Sequence, residues 1–216
     1  IESWVHEIKA PITAIALNCE NNRDERSRYL LVENRKVENY VDMALYYARM
    51  DAVYKDYMIA ETNLQEVAQQ VLLQNKYYLI QSHVKAEVAC PDTVYSDKKW
   101  IAFILNQLIQ NSVKYGRSEG AHIQIVTEKT KSGVLLRVKD DGIGIPKEEL
   151  PRIFEKGFTG TNGRNRERST GMGLYLCRKL CDKLNIEIRA ESAEGKGTEI
   201  ILMFPVSDYL TGYRET

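Results

Sequence analysis

The first fifty residues alternate apolar and polar positions with the spacing of helices that pack on other helices. Apolar side chains recur three and four residues apart in "WVHEIKAPITAIAL", at Val5, Ile8, Ile12 and Ile15, with Ile1 before them. After the polar turn "NNRDER" a second stripe has the same spacing, at Leu30, Asn34, Val37, Val41, Ala44 and Ala48. Residues 1–50 are therefore predicted to form an antiparallel helical hairpin. Because a lone hairpin buries little, we expect two copies to pair as a four-helix bundle, with Asn34 setting the register.

Beyond the hairpin the pattern changes. Residues 51–62 lack the helical period and are predicted to link the hairpin to a second domain over residues 63–216, where Asn63 and Glu66 can form a capping box. Short turns between neighbouring strands predict antiparallel pairs with helices on one face, an α+β sandwich. The expected strands are residues 84–89, 122–129, 134–140, 186–192 and 198–204. The expected helices are residues 97–114, residues 171–184 and one that follows Asn63, with an apolar face formed by Leu64, Val67, Ala68, Val71 and Leu72.

Composition narrows the possible partners. Lys+Arg and Asp+Glu both count 30, so no net charge points to nucleic acid or to a membrane surface. No apolar run approaches the roughly 20 residues that cross a bilayer. Cys177 and Cys181 lie one helical turn apart, unlike a zinc or redox pair, so the cysteines are expected to be buried apolar residues in a reducing compartment. Because the sequence opens inside a helical pattern without Met, we expect a piece of a longer protein.

The first helix carries a histidine and a proline. His6 lies one residue past a seam position and Glu7 one further, so both are expected on the exposed flank of the helix. Pro11 removes a backbone donor and costs roughly 3 kcal/mol unless the helix bends. Taken alone, the stretch favours the ordinary interpretation, a surface histidine on a kinked helix.

Two glycine pairs suggest ligand contact. In "VKDDGIGIP", Asp140 ends a predicted strand and Gly142 and Gly144 follow. Glycine permits close approach, and the carboxylate can accept a hydrogen bond from an exocyclic amine such as that of adenine; an ordinary Asp-Gly turn is the alternative. The pair in "STGMGL", Gly171 and Gly173, lies where a long loop enters a helix, whose amides could hold phosphate; a flexible junction is the alternative.

The helix over residues 97–114 presents a polar side at spacings of four and three, formed by Gln107, Asn111, Lys114 and Tyr115. It could offer a neutral oxygen to magnesium and an ammonium group to phosphate, although a solvated face has the same pattern. The unpatterned loop over residues 155–170 has the length of a functional or mobile loop. Its arginines are either phosphate clamps or solvated side chains, at Arg164, Arg166 and Arg168.

Six motifs occur in one order behind the hairpin: "HEIKAP", "NQLIQNSVKYG", "DDGIGIP", "RIFEKGFTG", "STGMGL" and "GKGTE". Together they resemble the sensor histidine kinases of two-component systems over essentially all 216 residues, in which they match the H, N, G and F boxes. The second domain looks like the Bergerat (GHKL) ATP-binding fold of the gyrase, Hsp90 and MutL ATPases. The short hairpin and the "HEIKAP" wording look most like the intramembrane-sensing kinases that respond to peptide antibiotics.

The resemblance implies a role for each matching residue. His6 would be the phosphoacceptor and Glu7 the base that takes its proton, while Asn111 would bind Mg²⁺, Lys114 approach the phosphates and Asp140 read adenine. Residues 155–170 would form the ATP lid. The other residues that would contact or shape the nucleotide site are Gln107, Tyr115, Gly142, Gly144, Ile145, Phe158, Thr170, Gly171, Met172, Gly173, Leu174 and Thr198.

The implied protein is a homodimeric, ATP- and Mg²⁺-dependent histidine kinase that passes its phosphoryl group to an aspartate of a response regulator receiver domain. This piece would be cytoplasmic, with a parent chain anchored in the bacterial membrane upstream of residue 1 and a transporter as a further partner. Two alternatives remain open. A GHKL-type ATPase would need a catalytic carboxylate on the long helix, and residues 100–116 contain none. A nucleotide-binding pseudokinase would use the hairpin only as a dimeric interaction module.

Three positions depart from the pattern of the family. Gln107 stands where a second asparagine is common, so its longer arm changes the expected magnesium geometry. Ser169 replaces the usual first glycine before "TGMGL". Ala10 replaces the Thr or Asn that, in many relatives, positions water for dephosphorylation of the response regulator, so weak phosphatase activity is expected.

Overall fold

The computed structural model describes residues 2–22, 24–49, 58–117, 120–161 and 170–206. The chain divides into two units, residues 1–56 and residues 57–216. The lid arginines and Ser169 lie outside the described residues, as do most positions of the predicted linker.

The first unit is the predicted helical hairpin. Helix α1 spans Glu2–Asn22 and helix α2 spans Glu25–Arg49. Asn34 is buried in the hairpin, and its side-chain amide donates a hydrogen bond to the Ile12 carbonyl oxygen over 2.8 Å. A polar seam residue therefore has a defined partner on the other helix, as a residue that sets register requires.

The apolar stripes are only partly covered within one hairpin. Ile12 is buried, but Ile15 and Val37 each remain 49% exposed and Leu30 remains 43% exposed. Two helices can bury only the sides that face each other, so the rest of each stripe stays at the surface. These side chains leave an apolar face that a second hairpin could cover.

Helix α1 continues through Pro11. Near the proline, the Thr13 hydroxyl donates to the Lys9 carbonyl oxygen over 3.0 Å, and the Lys9 ammonium lies 2.6 Å from the Asp42 carboxylate on α2. Contact with α2 therefore supports the helix close to the residue that lacks a backbone N–H.

The second unit contains a five-stranded mixed sheet. Its strands are β2 (Lys85–Ala89), β4 (His122–Thr130), β5 (Gly133–Asp140), β6 (Glu187–Ala193) and β7 (Gly197–Pro205). Their spatial order is β2-β4-β5-β7-β6. The pairs β4–β5 and β6–β7 are antiparallel, as the short turns predict, and β5–β7 is antiparallel as well. Strand β2 is parallel to β4, which a long segment with its own helix allows.

Three helices pack together and on this sheet: α3 (Leu64–Gln74), α5 (Lys98–Lys114) and α6 (Gly173–Lys183). A short helix α4 (Lys76–Gln81) follows α3, and a 3-10 turn spans Leu150–Arg152. The predicted α+β sandwich is confirmed. All four cysteines are free and buried, as expected, and none of the helices among the described residues has the length and apolar character to cross a membrane. The core includes Ile101, Ile104, Leu108, Ile125, Leu136, Leu180 and Ile201.

A second, two-stranded sheet was not predicted. Strands β1 (Ala60–Asn63) and β3 (Thr93–Ser96) pair antiparallel, so residues 60–62 belong to a strand rather than to an irregular linker. Four residues are too few to show the alternation of a strand. Asp97 fixes this region, because one carboxylate oxygen caps α5 at the Lys99 amide and the other accepts from the Met58 amide, each over 2.9 Å.

Candidate nucleotide-binding site

The end of β5 carries a carboxylate that is held on both oxygens. Oδ1 of Asp140 accepts hydrogen bonds from the Gly142 amide at 3.0 Å and from the Thr198 amide at 3.1 Å, and Oδ2 accepts one from the Ser112 hydroxyl at 3.0 Å. Burial raises the pKa of Asp140, and these three donors oppose that rise. Because Oδ2 has one protein donor, it can accept one more hydrogen bond from a ligand amine.

The glycines that follow Asp140 have no space for a side chain. A Cβ at Gly142 would lie 2.5 Å from the Tyr115 carbonyl oxygen, and one at Gly144, whose φ is +69°, would lie 2.0 Å from the Ala193 carbonyl oxygen. The Ile143 amide donates to the Tyr115 carbonyl oxygen over 3.0 Å. The glycines thus let the loop after β5 pack against both the end of α5 and the β6–β7 turn.

Arg117 joins the same three segments. It lies just after α5, and its Nε donates to the Asp141 carbonyl oxygen over 2.7 Å while Nη2 donates to the Gly195 carbonyl oxygen over 2.9 Å. The Gly195 amide in turn donates to the Ile143 carbonyl oxygen over 2.7 Å. The guanidinium fork therefore bridges the loop after β5 and the β6–β7 turn.

Two hydroxyl groups connect the loop after β5 to the ends of β6 and β7. The Ile145 amide donates to Ser192 Oγ over 2.9 Å, and that hydroxyl donates to the Gly197 carbonyl oxygen over 2.7 Å. Oγ of Ser192 also lies 3.0 Å from Oγ1 of Thr198. Ile145 and Thr198, both predicted site residues, are therefore joined through Ser192.

The four polar residues predicted to share one side of α5 differ in burial. Asn111, Lys114 and Tyr115 are half-buried, and the Lys114 ammonium lies 5.9 Å from the Tyr115 ring centre. Gln107 is only 4% exposed, and its Oε1 lies 2.9 Å from the place where a Cβ on Gly173 would be. Gln107 therefore packs against the start of α6 instead of sharing the more exposed position of Asn111.

The second glycine motif forms a close backbone contact. Gly171 has a φ of +64°, and a Cβ there would lie 2.3 Å from the Gly157 carbonyl carbon. The Gly157 amide donates to the Gly171 carbonyl oxygen over 3.0 Å, and the Met172 amide to Thr170 Oγ1 over 3.3 Å. The two ends of the predicted lid are thereby joined where α6 begins, at Gly173 and the half-buried Leu174.

The first part of the predicted lid is held by charged side chains that precede it. Phe158 is half-buried, with the Arg152 guanidinium 4.6 Å from its ring centre. Oε1 of Glu149 accepts from the Thr161 amide at 2.8 Å and from the Thr161 hydroxyl at 2.6 Å. These contacts fix the chain on both sides of Gly157.

This donor and acceptor set fits Mg-ATP. Asp140 retains capacity to accept from an adenine amine, and Gly142 and Gly144 let the loop that follows it pack closely against α5 and the β6–β7 turn. Asn111 offers a neutral oxygen of the kind that magnesium accepts, and Lys114 offers an ammonium group for phosphate.

The two predicted catalytic residues belong to the other unit. Glu7 is exposed on α1. The backbone of His6 is part of α1, but its side chain lies outside the described residues.

Sequence reasoning missed three residues that support the site: Ser112, Arg117 and Ser192. Their partners lie 28, 24 and 47 residues away in the chain, at Asp140, Asp141 and Ile145. One local signal exists for Ser112, which is a polar residue among buried apolar ones on the inner side of α5.

The mixed sheet, the carboxylate at a strand end, the glycine contacts and the polar end of α5 define an ATP-binding domain, here on one chain with a helical hairpin. Residues 96–208 match the family model described as histidine kinase-, DNA gyrase B-, and HSP90-like ATPase, and the chain belongs to this family.

The similar proteins are sensor histidine kinases, so the resemblance seen in the motifs is confirmed. Sensor histidine kinase YxdK of Bacillus subtilis (strain 168) is 33% identical over 208 residues, which are 94% of this chain and 63% of YxdK. Sensor protein kinase GraS of Staphylococcus aureus (strain JH1) is 36% identical over 214 residues, 96% of this chain and 60% of GraS. The chain thus spans about three fifths of the length of these relatives.

Solved structures of histidine kinase ThkA share the fold. The ThkA catalytic domain has a TM-score of 0.59 and 26% identity, and the match covers 68% of this chain and 97% of that domain. ThkA in complex with response regulator protein TrrA has a TM-score of 0.61 and 22% identity, covering 96% of this chain and 61% of ThkA.

Proposed function

We propose that this chain is the catalytic core of a sensor histidine kinase, which uses Mg-ATP to phosphorylate His6 and then passes the phosphoryl group to an aspartate of a response regulator. The observation that carries the proposal is Asp140, a half-buried carboxylate with three protein donors and room for one more. It lies on the same chain as a hairpin that bears a histidine beside a carboxylate, His6 and Glu7.

The proposed reaction balances without a further reactant. An imidazole nitrogen of His6 attacks the γ-phosphorus, the nitrogen–phosphorus bond forms, and the bond to the β–γ bridging oxygen breaks to release ADP. Glu7 takes the proton that the ring loses. In the second step the phosphoryl group moves from nitrogen to a carboxylate oxygen of the response regulator. Positioning and charge stabilisation dominate catalysis in such transfers.

Different residues of the second unit are proposed to contact different parts of Mg-ATP. Asp140 accepts from the adenine amine, and the backbone around Gly142 and Gly144 approaches the base. Asn111 would hold Mg²⁺, which supplies neutralisation of phosphate charge, and Lys114 would contact the phosphates. The amides at the start of α6, from Gly173 onward, are suited to phosphate oxygens.

The hairpin is proposed to dimerise. Its exposed apolar residues, including Ile15, Leu30 and Val37, are covered if two hairpins form a four-helix bundle. Oligomeric state by light scattering tests this directly. A monomer at micromolar concentration would contradict it.

The longer protein is proposed to hold this piece on the cytoplasmic side of the bacterial membrane. Two similarities support the finer assignment: the likeness to GraS and YxdK, both named as sensor kinases, and the structure of ThkA with its response regulator. The short hairpin and the "HEIKAP" wording are the basis for proposing a peptide antibiotic as the stimulus and a transporter as the membrane partner.

The decisive experiment is the intact mass of the chain after incubation with Mg-ATP. One acid-labile phosphate is expected on the wild type and on His83→Gln, a matched control at an exposed histidine of the second unit, and none on His6→Gln. Phosphate retained on His6→Gln would contradict the assignment of His6. Nucleotide binding without any phosphate would favour the pseudokinase.

The role of Glu7 has its own test. General-base assistance contributes roughly 10² to 10⁴ in rate, so Glu7→Gln should slow autophosphorylation by about that factor at unchanged ATP affinity. Glu20→Gln, at another exposed position of α1, serves as the control. A Glu7→Gln rate equal to the control would remove Glu7 from the mechanism.

A further inference from the structure

We propose that Ser112 is a positioning residue that makes this site selective for 6-amino purines, because it holds Asp140 as a hydrogen-bond acceptor. This inference rests on the proposed function, in which Asp140 contacts the base.

The geometry around Asp140 consists of donors only. Ser112 is 5% exposed on the inner side of α5, and its hydroxyl lies 3.0 Å from Oδ2. The Gly142 and Thr198 amides both donate to Oδ1. An ionised carboxyl accepts all three hydrogen bonds, and each of them is stronger to the charged form than to the protonated form. Of the three donors, only the Ser112 hydroxyl belongs to a side chain and can be removed without changing the backbone.

The charge state of Asp140 decides which purine fits. Adenine presents an amino group at C6, which donates, and hypoxanthine presents a carbonyl oxygen there, which accepts. A carboxylate at Oδ2 pairs with the first and repels the second. If Oδ2 gains a proton, it can donate to the carbonyl instead. A residue that favours the ionised carboxyl therefore favours adenine.

The remaining surroundings do not favour the ionised form. Burial and the neighbouring charge of Asp141 both raise the pKa of Asp140. The residues beside it in the sheet, Ile123 on β4 and Thr198 on β7, are uncharged. Loss of the Ser112 hydroxyl removes one of the three donors that oppose the rise, so the pKa of Asp140 increases further. Base recognition then fails at a higher pH than in the wild type.

The test compares ATP and inosine triphosphate binding to the whole chain by calorimetry, with Mg²⁺, at about pH 6 and about pH 8. For Ser112→Ala we expect ATP affinity to fall roughly tenfold at about pH 7, the order of the loss of one hydrogen bond to a charged group. The loss should be larger at the lower pH, and the preference for ATP over inosine triphosphate should shrink there. The KM for ATP in autophosphorylation should rise while kcat stays within twofold.

Ser96→Ala is the matched control, because Ser96 is a buried serine on β3 whose hydroxyl has no hydrogen-bond partner among the described residues. It should bind both nucleotides as the wild type does. A pH-independent loss of both nucleotides in Ser112→Ala would indicate a purely structural role and overturn the inference, as would unchanged ATP affinity. If the wild type itself bound no ATP, the proposed function would fail instead.

Discussion

Arg117 offers a test of whether contacts outside the predicted motifs shape the base-binding end of the site. One of its two hydrogen bonds reaches the Asp141 carbonyl oxygen in the loop after β5, and the other reaches the Gly195 carbonyl oxygen in the β6–β7 turn. A hydrogen bond from a charged group contributes about 1.5 to 3 kcal/mol when shielded. Arg117 is exposed, so solvent competition reduces each bond to about 1 kcal/mol or less. Arg117→Ala should thus remove about 1 to 2 kcal/mol of stabilising free energy, summed over the two hydrogen bonds.

Most of that loss should appear in nucleotide affinity. The Ile143 amide still binds the Tyr115 carbonyl oxygen and the Gly195 amide still binds Ile143, so the loops separate without unfolding. A loss of about 1 to 2 kcal/mol corresponds to roughly 5- to 30-fold weaker ATP binding, measured by calorimetry at unchanged circular dichroism.

The controls separate geometry from charge. Lys196→Ala removes an exposed cation from the same β6–β7 turn and should leave affinity unchanged. Arg117→Lys keeps the charge, but one ammonium group lacks the fork that reaches two carbonyls, so it should recover less than half of the loss. ATP affinity of Arg117→Ala within twofold of the wild type would refute the reasoning.

Two further predictions concern packing. Gly144→Ala should abolish nucleotide binding, measured by calorimetry, because the added Cβ would lie 2.0 Å from the Ala193 carbonyl oxygen. Gly195 has a φ of +75° but open space around it, so Gly195→Ala should lower the free energy of unfolding by only about 1 kcal/mol. Equal effects of the two substitutions would contradict this prediction. Burial raises the pKa of Cys90 to about 11 and of Cys181 to about 12, so both thiols should resist Ellman's reagent at about pH 8 until urea unfolds the domain. Fast labelling of the native protein would show that these thiols are accessible.

The elements predicted well are those with long, regular patterns. The periodicity of α1, α2 and α5 extends over several turns, and α5 also has a strong start signal, since Asp97 caps it as an N-cap should. Asn63 likewise accepts from the Glu66 amide at 3.1 Å, but the Glu66 carboxylate lies 3.8 Å from the Lys98 ammonium, so only half of the predicted capping box forms. The short strands β1 and β3 were missed because their pairing joins residues far apart in the chain.

The candidate site likewise contains residues that the sequence identified and residues that it did not. Asp140 and the glycines could be singled out because they stand in contiguous motifs, "DDGIGIP" and "STGMGL". The supporting residues Ser112 and Arg117 were not, since each has a local role only after distant segments meet. Gln107 shows the limit of helical spacing: it shares a predicted side with Asn111, yet its burial depends on how α6 packs against α5.

Asp140→Asn tests the whole arrangement because it changes charge and donors but hardly changes shape. The amide oxygen should face the Gly142 and Thr198 amides, which must donate, and this places the NH₂ group toward Ser112 and the ligand. An NH₂ group repels the amino group of adenine, so ATP binding should fall at least a hundredfold while inosine triphosphate binding improves.

The fold should survive this change. Because the pKa of Asp140 is raised in the folded state, its ionised form costs stability above the ordinary pKa of an aspartate, and the cost disappears as pH falls through the folded pKa. Asp140→Asn should therefore unfold at a temperature no lower than the wild type near pH 7, and any advantage should vanish toward about pH 3. Unchanged ATP affinity, measured by calorimetry on the same folded sample, would show that Asp140 does not contact the base.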